Sequence, residues 1–227
     1  MDGPLTMTRF IFENQKRYPH ARGTLSGLLA QIELACKVIN REVNKAGLVE
    51  ILGITGDKNV QGEEVQKLDE YANKVMIRTL SQSGYLCQMA SEEEDSEIPI
   101  KHDHLKGDYT LAFDPLDGSS NIDANVSIGT IFSIHRRVEG QDCASGLLQP
   151  GKKQVAAGYV VYGSSTIMVY TTGDGVHGFT LDPSVGEFLL SNENIRIPEK
   201  GSIYSVNEGN YPYWDAVSYT HLRAHET

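Results

Sequence analysis

The hydrophobic periodicity of this chain changes once along its length, from a helical step to a strand-like one, and that order limits the folds open to it. Leu25, Leu28, Leu29, Ile32, Cys36, Ile39 and Val43 recur at steps of three and four, and the run stops at Lys45 and Gly47. They predict a long amphipathic helix. Leu68, Ala72, Val75, Met76 and Leu80 share one face of a second helix. The glycine-rich polar stretch 53–62 between the two reads as a mobile loop. From Tyr85 onward, short runs rich in β-branched and aromatic residues near 109–113, 126–135, 155–162, 166–171, 176–181 and 186–190 are separated by Gly, Pro and Asp. These read as strands, with Gly173-Asp174-Gly175 as a hairpin turn. The run from Val155 to Val161 is too apolar for a strand facing solvent, so it predicts a sheet covered by helices. Helices followed by a sheet predict a layered α/β architecture.

Two acidic clusters sit where strand-like runs end. One is Ser91-Glu92-Glu93-Glu94-Asp95, after Tyr85-Leu86; the other is Asp114-Pro115-Leu116-Asp117-Gly118-Ser119-Ser120-Asn121, after Thr110-Leu111-Ala112-Phe113. The spacing from Glu92 to Asp114 is enough for the chain to return on a neighbouring strand, and loops beyond strand ends can gather several carboxylates around one point. Carboxylates gathered so closely repel one another unless a cation lies between them. Pro115 fixes φ and removes a donor, so Asp114, Asp117 and the Leu116 carbonyl can face one site. Such hard oxygen donors suit Mg²⁺ or Mn²⁺. Gly118 allows a sharp turn, and the amides and hydroxyls of Ser119 and Ser120 can surround a phosphate. Carboxylates for metal beside amides for phosphate point to metal-assisted phosphoryl chemistry.

Composition narrows the partners. In 227 residues there are 20 Lys+Arg against 30 Asp+Glu, a net charge of −10, which opposes binding to nucleic acid or to an anionic membrane surface. At 40% hydrophobic and 22% charged residues the chain can build a core, and intrinsic disorder is excluded as its main state. It contains no apolar run of membrane-spanning length, and residues 1–22 lack the apolar core of a signal peptide, so a soluble, cytoplasmic protein is expected. Cys36, Cys87 and Cys143 are far apart and in no metal-ligand spacing; they read as structural thiols in a reducing compartment.

The string DPLDGSSN preceded by SEEED closely resembles the class 1 fructose-1,6-bisphosphatases, of the Mg²⁺-dependent, lithium-sensitive sugar and inositol phosphatase superfamily. NKAGLVEILG at 44–53, NVQGEEVQKLD at 59–69, VSIGTIFSI at 126–134, LQPGKKQVAAGYVVYGSS at 148–165 and YSVNEGNY at 204–211 carry the resemblance from about residue 8 to 211. It implies the layered αβαβα sugar phosphatase fold of the fructose-1,6-bisphosphatase/inositol monophosphatase superfamily. The implied reaction is hydrolysis of the 1-phosphate of fructose 1,6-bisphosphate to fructose 6-phosphate, with Mg²⁺ or Mn²⁺ as cofactor and a homotetramer as the assembly. By the same resemblance, Glu92, Asp114, Asp117 and the Leu116 carbonyl are metal ligands. Asp69 and Glu93 are the carboxylates that orient and deprotonate the attacking water. Asp117, Gly118, Ser119 and Ser120 meet the reacting phosphate, and Asn207 contacts the substrate. The loop 53–62 with Glu63, where many relatives carry Asp, matches one that closes over the metals. In relatives inhibited by AMP, a nucleotide pocket involves positions matched here by Gly23, Thr24, Leu25, Ser26, Tyr109 and Arg136. A frequent lysine is Asp108 in this chain, and a Thr-Gly-Glu pattern reads Arg22-Gly23-Thr24, so weak AMP inhibition is expected.

After Tyr211 the resemblance ends. Family members continue with a further metal-binding Glu, a phosphate-binding Arg from a neighbouring subunit, and Tyr and Lys groups that hold the sugar, none of which has a counterpart here. The expected organisation is an N-terminal domain over 1–198 with the metal site, the start of an incomplete second subdomain over 199–216, and a non-native tail over 217–227. That tail resembles translated sequencing-adaptor read-through. Within it, His221 and His225 have the spacing of helical zinc pairs but lack the accompanying Glu, and Trp214-Asp215-Ala216 lies outside the family pattern; both read as coincidences. Sedoheptulose bisphosphatase activity, dual activity, or a non-catalytic fragment that binds metal or anions are the competing readings.

Overall fold

The computed structural model describes residues 3–45, 54–58, 64–101, 106–119, 126–138, 140, 142–201 and 208–215. The chain divides into two units, residues 1–195 and 196–227. In the second unit the described residues form a 3₁₀ turn, Glu208–Tyr213, followed by Trp214 and Asp215. Ala216, His221 and His225 lie outside the described residues, as do Glu63, Ser120 and Asn207.

Among the described residues, the first unit carries three α-helices and a large sheet. Helix α1 (Met7–Gln15) starts where the Thr6 hydroxyl accepts from Arg9 N at 3.2 Å, an N-cap that satisfies one orphan donor. It buries Met7, Phe10 and Ile11. Helix α2 (Thr24–Val43) buries the predicted stripe Leu28, Leu29, Ile32, Cys36 and Ile39, and α3 (Lys67–Ser81) buries Leu68, Ala72, Met76 and Leu80. Strands β1 (Ile54–Lys58) and β2 (Glu64–Gln66) pair antiparallel as a small hairpin ahead of α3. This corrects the expectation of a loop over 53–62: part of that stretch satisfies its backbone donors and acceptors in a ladder instead of in water.

Eight strands follow: β3 (Leu86–Ser91), β4 (Ile98–Pro99), β5 (Tyr109–Asp117), β6 (Ile128–Arg136), β7 (Gln154–Tyr162), β8 (Thr166–Thr171), β9 (Val176–Asp182) and β10 (Glu187–Asn192). They form one sheet in the order β10-β9-β8-β7-β6-β5-β3-β4. All neighbours are antiparallel except β3 and β5, which run parallel. Gly173 and Gly175, in the predicted hairpin turn between β8 and β9, both have positive φ.

Alternate residues of each strand pack under the helices. Phe113, Phe132, Ile134, Val160, Met168, Phe179 and Phe188 join the helix stripes in one core. Lys37 ties α2 to the far edge strand, with Nζ 2.8 Å from Glu33 Oε1 and 2.8 Å from Glu187 Oε2. Burial pushes the Cys36 thiol up to about 12, and burial followed by its hydrogen bond to Cys143 does the same for Cys87. Both stay protonated at neutral pH, as structural thiols do.

The other face of the sheet differs from expectation. Tyr159 and Val161 are 46% and 36% exposed, and Ile131 beside them is 46% exposed. The apolar run of β7 therefore does not mark a strand covered on both faces by the described residues. It supplies Ala156, Val160 and Tyr162 to the core and leaves an apolar stripe on the opposite side. Of the expected αβαβα stack, the described residues form one helix layer and one sheet. Among them, no helix is long and apolar enough to cross a membrane.

Candidate active site

The parallel pair builds the site. Ser91 lies opposite Phe113, and Glu92 N extends the ladder by donating to Phe113 O at 3.0 Å. Glu92, just past the end of β3, therefore lies beside Asp114 of β5, as the sequence spacing predicts. With Ala90, Ala112, Ile131 and Ser133 they line a shallow hollow of about 370 Å³ on the open face of the sheet.

The DPLD segment is not beyond a strand end, as the sequence suggests; it is the continuation of β5. Asp114 pairs with Ile131 and Asp117 with Gly129, so Pro115 and Leu116 together oppose Thr130 alone. This two-against-one bulge accommodates a proline that has no N–H to give to the ladder. Tyr162 and Thr130 hydroxyls are 2.8 Å apart, and Thr130 Oγ1 donates to Pro115 O at 2.8 Å. The bulge thus rests on a buried hydroxyl chain, while Leu116 anchors it in the core and Leu116 N donates to Asp114 Oδ1 at 3.0 Å. Gly118 turns with φ 80°, a left-handed conformation that suits glycine, and leads into the buried Ser119.

Helix α3 packs against both strands and brings Asp69 in from its first turn. A carboxylate there is favoured by the partial positive charge of a helix N-terminus. Asp69 is buried. Burial pushes the Glu93 carboxyl up to about 8, helped by its hydrogen bond with Glu92 and by the charges of Asp69, Glu92 and Asp114. Burial pushes Asp114 up to about 6, with Asp117, Glu92 and Asp69 adding repulsion and the Leu116 N–H opposing it. Asp69, Glu92, Glu93, Asp114 and Asp117 thus share one electrostatic neighbourhood.

Among the described residues, no three of these groups close into a complete ligand set. By donor chemistry the cluster fits a divalent cation: every group is a hard oxygen, and the repulsion among them is what such a cation relieves.

Burial and this repulsion together have a measurable consequence. Both acids bind protons more tightly folded than unfolded, so their stabilisation is complete below the ordinary carboxylate range near pH 4. It is lost as pH rises through about 6 for Asp114 and about 8 for Glu93. The melting temperature of the metal-free chain in EDTA should fall between pH 5 and pH 9, and saturating Mg²⁺ should remove most of that fall. An EDTA melting temperature that rises over the same interval would contradict the cluster.

A second cavity, of about 280 Å³, lies between α1, the start of α2 and the β8–β9 hairpin. Thr24, Ser26 and Tyr109 line it, together with Arg22, Gly23 and Leu25, whereas Arg136 does not. Gly23 caps α2 at φ 82° without a side-chain hydrogen bond. Sequence reasoning missed Tyr170, Asp174 and His177 on its wall. Asp174 was legible only as a turn residue, and nothing in the turn says what it folds over.

A family model described as the N-terminal domain of fructose-1-6-bisphosphatase matches residues 5–193. A fructose-1,6-bisphosphatase class 1 of Maridesulfovibrio salexigens is 57% identical over 221 residues, covering 96% of this chain and 65% of its own length. One of Cytophaga hutchinsonii is 60% identical over 213 residues, covering 91% and 60%. The crystal structure of Leishmania major fructose-1,6-bisphosphatase in holo form superposes with a TM-score of 0.90 at 41% identity, covering 97% of this chain and 68% of that one. The fold is the one shared with these fructose-1,6-bisphosphatases. The chain belongs to the fructose-1,6-bisphosphatase family, and it spans about 65% of the length of the Maridesulfovibrio relative.

Proposed function

We propose that the protein hydrolyses the 1-phosphate of fructose 1,6-bisphosphate, giving fructose 6-phosphate and phosphate. The observation that carries this is the parallel β3–β5 pair, which sets Glu92 beside Asp114 with Asp69 and Glu93 close by. Glu92, Asp114, Asp117 and the Leu116 carbonyl would hold Mg²⁺ or Mn²⁺. The bound cation supplies Lewis acidity to the phosphoryl oxygens and lowers the pKa of attacking water. Asp69 and Glu93 orient that water and take its proton. Asp117, Gly118, Ser119 and Ser120 receive the phosphate, and Asn207 contacts the substrate; Ser120 and Asn207 lie outside the described residues. As the family resemblance implies, the working form is a cytoplasmic homotetramer.

The test is phosphate release from fructose 1,6-bisphosphate by the 227-residue chain, with Mg²⁺ and with EDTA. Mg²⁺-dependent release that exceeds release from sedoheptulose 1,7-bisphosphate supports the reading. The opposite preference moves the specificity to sedoheptulose bisphosphate. Metal binding without turnover overturns catalysis by this chain in favour of a metal-binding module.

Weak AMP inhibition belongs to the same reading. Thr24, Ser26 and Tyr109 share the cavity, but Arg136 is absent from its lining, Asp174 adds a carboxylate to it, and Asp108 stands where relatives often carry lysine. Like charge disfavours a bound phosphate. Titrating AMP should leave turnover nearly unchanged, and strong inhibition at low AMP would refute this.

A further inference from the structure

Asn73 is a buried polar side chain on the packed face of α3, four residues after Asp69 and therefore one turn along on the same side. Its amide meets the Ser91–Glu94 turn at both ends. Glu93 N donates to Ser91 Oγ at 3.3 Å, and Ser91 Oγ donates to Asn73 Oδ1 at 2.8 Å. Asn73 Nδ2 donates to Glu94 Oε1 at 2.9 Å. The turn itself closes with Glu94 N on Ser91 O at 3.3 Å.

We infer that Asn73 is a positioning residue: through Ser91 and Glu94 it locks the turn carrying Glu92 and Glu93 to the helix carrying Asp69. The inference rests on the proposed roles of those three carboxylates. An amide accepts from the hydroxyl with its oxygen and donates to the carboxylate with its nitrogen at once. A carboxylate at position 73 would add charge against Glu94, and an apolar group would leave the Ser91 hydroxyl without its acceptor. Without the lock, mutual repulsion is free to separate Glu92 and Glu93 from Asp69. Groups that orient metal ligands in this way typically alter metal affinity by about 10- to 100-fold when removed.

The experiment is Mn²⁺ binding to the full chain, followed by electron paramagnetic resonance, with melting temperature in EDTA measured in parallel. Asn73→Leu, with the same number of side-chain heavy atoms, should weaken Mn²⁺ binding by about 10-fold or more. Ser91→Ala should do likewise, and the double variant should be no weaker than the worse single one, because both break one chain. Ser91→Thr keeps the hydroxyl and should retain wild-type affinity. A merely structural asparagine would lower the melting temperature and leave Mn²⁺ affinity within about twofold, which would overturn the inference. If Asn73→Leu does not fold, the contrast between Ser91→Ala and Ser91→Thr decides in the same way. Wild-type chain that binds no Mn²⁺ removes the proposed metal site and this inference with it. Wild-type binding with variants of equal affinity removes this inference alone.

Discussion

Replacing Asp114 by asparagine is expected to abolish Mg²⁺-dependent phosphate release while leaving a folded chain. The side chain sits just before the bulge of β5 with one oxygen held by Leu116 N at 3.0 Å, and it lines the same hollow as Glu92. An amide keeps the shape and the acceptor for Leu116, but it removes the charge that would hold a divalent cation. Loss of a group that merely supports a metal ligand already costs about 10- to 100-fold, so loss of a ligand should exceed roughly 100-fold in turnover. Glu92→Gln should behave alike. The same change removes one of the repelling charges that lift the proton affinity of Glu93, so the metal-free Asp114→Asn chain should melt no lower than wild type at pH 8. Near-normal turnover at limiting Mg²⁺ would refute the ligand assignment. A large drop in melting temperature would show a structural role instead.

Phe179→Ala should produce the largest loss of stability. Phe179 is fully buried on β9, its ring centroid 5.4 Å from Phe10 of α1 in an edge arrangement and 5.6 Å from Tyr170 of β8 in a stacked one. Truncating a buried phenylalanine costs about 3–5 kcal/mol through lost transfer energy and the cavity left behind. That is a large share of the roughly 5–15 kcal/mol that holds a typical domain together. For a chain of this size it corresponds to about 10 °C or more in melting temperature. Phe10 also lines the cavity beside α2, so the variant should loosen that wall as well. A shift under about 3 °C would mean that the α1–sheet contact contributes little.

What the sequence revealed depended on how regular each signal was. Helices α2 and α3 were legible because their apolar positions repeat over several turns. The strands after β4 were legible because alternating runs end at Gly, Pro or Asp. Glu92 and Asp114 could be placed together because only a neighbouring strand makes their spacing useful. Helix α1 was not singled out, since Met7, Phe10 and Ile11 offer too short a pattern. Strand β1 hid in a polar, glycine-rich stretch, paired among the described residues with a three-residue strand. Pro115 looked like a strand end, whereas the bulge lets β5 run on to Asp117. The β7 run announced a helix-covered sheet, but an apolar sequence does not say that, among the described residues, only one face is covered. Asn73 had a signal that was overlooked: a polar residue on the apolar stripe of α3, one turn from Asp69.

The central claim is that Glu92, just past β3, and Asp114 of β5 form a divalent-metal site. Crystals of the full chain grown with Mn²⁺, with diffraction measured at the manganese absorption edge, test it without reference to turnover. An anomalous peak is expected in the hollow between Glu92 and Asp114, within bonding distance of carboxylate oxygens, and no such peak for Asp114→Asn. A peak elsewhere on the chain, or an empty hollow at saturating Mn²⁺, would contradict it.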